Sequence, residues 1–279
     1  MTRLERLAWP DVAARAATSV LAVPVGATEQ HGPHLPIGTD TAVAVALAER
    51  LAAARDDVLV APAVAYGSSG EHAGFAGTLS IGADAVRLVL VELVRSADAF
   101  AGVVLVSTHG GNAVPVAAAA ATLTGEGRRV LAWSPRHDRD AHAGRAETSM
   151  LLALDPAAVR AERIEAGDPR PLGEVIGALR AGGIASVSPS GVLGDPTGAC
   201  APEMLEPLRA GLLAAVADGR IPIERIDASV RRILAVKARH EVGPAPDADL
   251  AQIKGGEHLR IVASVLEMVA IRQEEAGKP

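Results

Sequence analysis

The chain is short of aromatic residues. Two Phe, one Tyr and two Trp among 279 residues leave a core to be built from Ala, Val and Leu. A single cysteine, Cys200, excludes an internal disulfide. No apolar run approaches the roughly 18 residues needed to span a bilayer. No basic run marks a nucleic-acid or membrane patch, and a formal charge of −6 disfavours polyanion binding. The N-terminal stretch lacks a signal peptide's basic-then-apolar order, so the cytoplasm is the expected compartment. What remains, 49% hydrophobic and 22% charged, is the composition of a globular domain.

The elements alternate. Short β-branched runs at Ser19 to Gly26, Val58 to Val64, Gly102 to Ser107 and Arg129 to Ser134 read as strands. Between them, Thr41 to Ala54, Asp84 to Ala97 and Ala113 to Leu123 read as helices, the first capped by Thr39 or Asp40. Strands alternating with helices predict a mostly parallel sheet with helices on both faces. Ligands of such sheets bind beyond the carboxyl ends of the strands. The loops EQHGPHLPIGTD, YGSSGEHAGF and THGGN all follow strands, so the topology gathers them at one sheet edge.

Beyond Asp155 the pattern loosens. Helices are expected over Leu172 to Ala181 and Pro202 to Ala217, with a Gly/Pro/Ser loop region from Ser186 to Gly198. Two further amphipathic helices are expected. One starts at Asp227 and uses Val230, Ile233, Leu234 and Lys237, and the other runs through Leu259, Val262, Leu266 and Ala270. This divides the chain into a catalytic domain over 1–217 and a C-terminal helical extension over 218–279.

Six of the eight histidines (His31, His34, His72, His109, His137 and His142) lie in loops or at element ends. Glu29 and His31 are separated by one residue, so an extended loop points both the same way. Asp40 sits at the entry to the next helix, where its carboxylate could bridge two ions. His109 directly follows the third strand. Carboxylate with imidazole suits Zn²⁺, Mn²⁺ or Fe²⁺, ions that activate water and polarise an amide carbonyl. Each acidic residue also reads equally well as a helix N-terminal charge. His34, before Leu-Pro, reads as structural or as a support behind a ligand. His137, in a charged run, and His240 and His258, on exposed helical positions, read as solvated. Glu71 and His72 are adjacent and diverge; one can face a substrate, but joint ligation is not expected. His142 and Glu147 come from a separate stretch and could activate water or cap a helix. Asn112 is the chain's one asparagine and falls within THGGN.

In order, PVGATEQHGPHLPIGTD, APAVAYGSSGEHAGFAGTLSIG, VSTHGGN, HAGRAETSMLL and GVLGDPTGA resemble the creatininase family of metal-dependent amidohydrolases. SGEH before the FAGT stretch, HAG-x-x-ETS and GVLGDPT are most similar to its mycofactocin-maturation peptidase branch. The resemblance covers roughly residues 18 to 200 and implies a three-layer α/β/α sandwich, two divalent ions and a homo-oligomer, commonly a hexamer. It implies Glu29, His31, Asp40 and His109 as ligands, Asp40 bridging, and His142 as the proton-moving histidine. Creatininase proper carries a ligand Glu where this chain has Gly111, which makes Glu147 the candidate fifth ligand. Ser69, Glu71, His72 and Asn112 are expected to meet substrate. The implied substrate is a modified precursor peptide that loses a C-terminal dipeptide; a small cyclic amide or formamide, or a non-catalytic metal scaffold, are the alternatives. Gly211 to His240 resembles the closing segment of family-3 glycoside hydrolase barrels over about thirty residues, and equally a generic amphipathic helix pair. It brings no catalytic set.

Overall fold

The computed structural model describes residues 3–135, 141–200 and 205–217. The expected extension over 218–279, with His240 and His258, lies outside the described residues, as does His137.

A short helix α1 (Trp9–Ala13) leads to strand β1 (Val20–Val25). Helix α2 (Thr39–Ala54), strand β2 (Val58–Val60), helix α3 (Ala83–Arg95), strand β3 (Gly102–Ser107), helix α4 (Ala113–Gly125) and strand β4 (Val130–Trp133) follow. Helices α5 (Arg145–Leu154), α6 (Leu172–Gly182) and α7 (Leu205–Ala217) complete the described elements. The four strands are all parallel, in the order β2-β1-β3-β4. No helix of the described residues is long and apolar enough to cross a membrane.

Alternation along the strands divides the core into two halves. Leu21, Val23 and Val25 of β1 and Val103 and Leu105 of β3 face one side, against Val86, Leu90 and Val94 of α3 and Val116 and Leu123 of α4. Ala22, Val104 and Val106 face the other, against Val43, Leu47 and Leu51 of α2, Met150 of α5 and Leu212 of α7. The result is a three-layer α/β/α sandwich. Both faces of β1 and β3 are buried, which explains why these strands read as continuous apolar runs. Fully burying one such leucine or valine contributes about 1.5–3 kcal/mol.

Two local features depart from the expected boundaries. Strand β2 ends at Val60 rather than Val64; Ala61 N–H still donates to Ala22 O, and the chain rejoins β1 through a Val25–Val64 bridge. Pro24 lies within β1, an interior strand, where proline is normally excluded. The backbone groups of Ala22, Pro24 and Gly26 face the β2 side, bonding Ala61 and Val64. The donor that Pro24 lacks therefore points into the gap where β2 has already ended.

The chain leaves β1 toward β2 on one side and crosses back to β3 on the other. The sheet thus changes direction between β1 and β3, and a crevice opens at their carboxyl ends.

Candidate metal centre and active site

Glu29, three residues past the glycine that ends β1, sends its side chain into that crevice and is fully buried. Its loop is held by Glu29 N–H donating to the Ile37 carbonyl and Leu79 N–H donating to the Thr28 carbonyl. Asp40 enters from the first turn of α2. The expected side-chain cap is not made: Gly38 occupies the cap position, and neither Thr39 nor Asp40 caps the helix. The Asp40 carboxylate turns to histidines instead, with Oδ1 3.5 Å from His31 Nε2 and Oδ2 3.6 Å from His109 Nδ1.

Both histidines have their free nitrogen chosen by a backbone carbonyl. A carbonyl can only accept, so His31 Nδ1–H donates to Glu29 O (3.1 Å) and leaves Nε2 toward Asp40 as the nitrogen that offers a lone pair once deprotonated. His109 Nε2–H donates to Ser68 O (3.0 Å), leaving Nδ1 toward Asp40 and 3.1 Å from Glu29 Oε1. This is the arrangement that fixes a metal-binding imidazole in the correct tautomer.

The cluster is short of partners. Both oxygens of Glu29, Nε2 of His31 and Oδ2 of Asp40 are buried without a hydrogen-bond partner. Several unsatisfied buried polar atoms converging on one point are costly unless something binds them. Ligand atoms of Glu29, His31 and Asp40 lie within 4.8 Å of one another, as do those of His31, His142 and Glu147, and those of Glu29, His72 and His142. Mixed carboxylate and imidazole donors suit a Zn²⁺, Mn²⁺ or Fe²⁺ ion. The residues present therefore fit a divalent cation.

Electrostatics point the same way. Burial works against the charged form of Glu29, but the close approach of His109, 3.1 Å from Oε1, and the charges of His109, His72 and His31 hold it well below the usual carboxylate range. Burial also opposes charge on His31 and His109. The carboxylates of Asp40, Glu147 and Glu29 outweigh it for His31, raised to about 10. Glu29 and Asp40 do so for His109, raised to about 9. Burial, helped by the charges of Asp40 and Glu29, pushes Glu147 up to about 7. The carboxylates thus draw protons onto the two imidazoles, the positions a bound cation would take over.

His142 and Glu147 arrive from the far side of the fold. His142 forms an antiparallel bridge with Leu193, its N–H donating to Leu193 O and its own carbonyl accepting from Leu193 N–H. Its Nε2–H donates to Gln30 O (2.8 Å), and Nδ1 lies 3.8 Å from Glu29 Oε1. Burial and the nearby His31 and His72 push its pKa well down. Ala143 follows in a left-handed conformation (φ 51°), and its N–H donates to Glu147 Oε2 (2.5 Å), which is 3.9 Å from His31 Nε2. Backbone strain beside a functional side chain indicates that its orientation is over-determined by the surroundings.

A cavity of about 560 Å³ opens against this centre. Glu71, His72, His109 and His142 form its polar floor, and Leu172, Ile176 and Leu179 of α6 form an apolar wall. Of the residues expected to meet substrate, Glu71 and His72 line it. Ser69 is buried behind His109, with Oγ 3.4 Å from His109 Nε2. Asn112 is also fully buried, and both ends of its amide are engaged: Nδ2 donates to Gly26 O and Oδ1 accepts from Ser68 N–H, each at 2.9 Å. It ties the loop after β2 to the end of β1. His34, expected as a supporting residue, bonds Thr148 Oγ1 (2.9 Å) beside Glu147.

Gly111 has a steric explanation. A Cβ there would lie 2.3 Å from Ser68 O, 2.4 Å from His109 Nε2 and 2.7 Å from Glu71 Oε1. No side chain fits while the 68–71 loop holds His109. Sequence reasoning missed the α6 wall, whose residues carry no chemical signature, and the part played by Gln30, which sits between two candidate ligands and could have been singled out on that ground.

Comparisons with known proteins agree with this geometry. The creatininase family model, described as creatinine amidohydrolase, matches residues 5–216. The mycofactocin precursor peptide peptidase of Mycolicibacterium smegmatis (strain ATCC 700084 / mc(2)155) is 51% identical over 189 residues, 65% of this chain and 76% of that protein. The protein of the same name from Mycobacterium tuberculosis (strain ATCC 25618 / H37Rv) is 49% identical over 195 residues, covering 66% and 77%. Among solved structures, a tryptophan-to-phenylalanine creatininase variant matches with a TM-score of 0.64 and 26% identity, over 78% of this chain and 97% of that one. A manganese form of creatininase shares the fold with a TM-score of 0.62 at 24% identity, over 78% and 96%. With a family model spanning most of its length, the chain belongs to the creatininase family.

Proposed function

We propose that the chain is a peptidase that uses two divalent ions to cleave one peptide bond of a modified precursor peptide, releasing a C-terminal dipeptide. The observation that carries this reading is the convergence of partnerless Glu29, His31 and Asp40 atoms directly behind His72, His109 and His142, which line a cavity walled by α6. Glu29, Asp40 and His109 would hold one ion, and His31, Asp40 and Glu147 the other. The oxygen-and-imidazole donor set accommodates Zn²⁺, Mn²⁺ or Fe²⁺. Such ions supply Lewis acidity toward an amide carbonyl and toward water.

The chain's own residues do the rest. His142, with Nε2–H committed to Gln30 O, keeps Nδ1 facing Glu29 and can take a proton there and pass it to a departing amine. Leu172, Ile176 and Leu179 offer an apolar surface to the substrate's side chains and exclude water from that side. A small planar amide is less well matched, because neither Trp9, exposed on α1, nor Trp133, on β4, lines the cavity to close over a ring. The reading includes a cytoplasmic homo-oligomer. Exposed Ile37, Tyr66, Leu79 and Ile81, on neighbouring loops, support a contact between copies.

The test is incubation of metal-loaded protein with the modified precursor peptide, followed by mass spectrometry. Release of the C-terminal dipeptide is expected. No release with zinc, manganese or ferrous iron would overturn the reading.

A further inference from the structure

Gln30 makes three side-chain hydrogen bonds that settle which end of its amide is which. Oε1 accepts from Gly32 N–H (2.8 Å). Nε2 donates to Gly191 O (3.1 Å) and faces His72 Nδ1 (3.0 Å). The first two partners cannot exchange roles, because a backbone N–H only donates and a carbonyl only accepts. A flipped amide would set donor against donor at Gly32 and acceptor against acceptor at Gly191. The second Nε2 hydrogen is therefore aimed at His72 Nδ1, which must accept it. The His72 proton then sits on Nε2.

That nitrogen points into the centre, 3.3 Å from Glu29 Oε1, in a side chain that lines the cavity. A nitrogen that carries hydrogen has no lone pair for a cation. His72 thus resembles a ligand by distance, completing a group with Glu29 and His142, but presents a donor. It is also the lining histidine whose N–H is not spent on backbone. His109 Nε2–H is taken by Ser68 O and His142 Nε2–H by Gln30 O.

We propose that His72 is a catalytic hydrogen-bond donor, not a metal ligand: Gln30 locks it as the Nε2–H tautomer, and it donates to the substrate's amide carbonyl oxygen as negative charge gathers there. No bond is made or broken by His72, and its proton stays on Nε2 throughout. Preorganised donors of this kind act most strongly in water-poor sites. The loop carrying Gly191 takes part, because a Cβ at that position would lie 2.0 Å from Gln30 Oε1 and expel the amide that sets the tautomer. The catalytic half of this proposal rests on the peptidase reading above; the tautomer does not.

The experiment has two arms, both on the full chain loaded with zinc. Long-range ¹H–¹⁵N spectra of the histidine rings, with His72 assigned through His72→Gln, should show the Nε2–H tautomer in wild type. An Nδ1–H tautomer, an imidazolium or direct zinc coordination at His72 would overturn the proposal, whatever any peptide assay gives. In the second arm, His72→Ala should keep its zinc and lose about 100-fold in kcat with KM little changed, as for removal of an oxyanion donor. His72→Gln, which can still donate, should recover part of that loss. Loss of zinc in His72→Ala, or an undiminished kcat, would overturn it. Wild type that cleaves no peptide yet shows the Nε2–H tautomer would sink the peptidase reading and, with it, the role of His72 at a peptide carbonyl.

Discussion

Asp40 divides its carboxylate between two histidines, Oδ1 facing His31 and Oδ2 facing His109 at nearly equal distances of 3.5 and 3.6 Å. With one oxygen toward each histidine, the proposed role of Asp40 is to be shared by two ions. Asp40→Ala is therefore expected to lower the metal content of both positions, while Glu147→Gln, on the His31 side alone, should keep one ion per chain. Elemental analysis of the purified variants checks both. Two ions retained in Glu147→Gln would remove Glu147 from the ligand set.

Metal uptake should depend on pH in a defined direction. Neighbouring carboxylates raise His31 to about 10 and His109 to about 9, so both imidazoles hold an extra proton at neutral pH before an ion arrives. Binding must displace those protons, so affinity should rise with pH and level off as pH passes through 9 to 10. Calorimetric titration in two buffers of different ionisation enthalpy, at pH 7, should reveal net proton release. Equal heats in both would contradict it.

The crowding at Gly111 predicts a stability effect. A methyl group there must push against backbone at Ser68. Gly111→Ala should cost about 1–3 kcal/mol, the usual range for overpacking, and displace His109 as well. Denaturant unfolding and metal content would be measured together. A variant of unchanged stability that keeps its metal would mean that the 68–71 loop yields easily.

Ala143 holds a left-handed backbone between His142 and Glu147. Ala143→Gly removes the penalty on that conformation and should leave peptide turnover near wild type. Ala143→Val, β-branched, should misplace both neighbours, at a cost of about 1–3 kcal/mol. Thermal unfolding and turnover of the pair give the comparison; equal behaviour of the two variants would show that the conformation is not required.

Much of the framework was legible because the strands are buried on both faces and the helices between them follow one period. GVVLVS could not be mistaken, and the helix after Asp40 was placed to within two residues of its start. Glu29, His31, Asp40 and His109 could be grouped because they sit just beyond β1 and β3, where a parallel sheet brings loops together. Asn112 was misleading: an isolated polar residue in a loop looks the same in sequence whether its amide faces substrate or backbone. The orientation of His72 was not legible, since it depends on Gln30, 42 positions earlier, and on Gly191, 161 positions beyond Gln30. Periodicity and local motifs carry no information on pairings of that range.

The span of the site has a consequence for biosynthesis. Ligand candidates begin at Glu29 and end at Glu147, and His142 is bridged to Leu193. A ribosome must have released almost all of this stretch before the set is complete. A nascent chain ending near His109 offers Glu29, His31, Asp40 and His109 but lacks His142, Glu147 and the Leu193 segment that holds His142. On the two-ion reading, acquisition of both ions would act as a checkpoint on completed folding. Ions that bind only the finished fold also stabilise it by mass action.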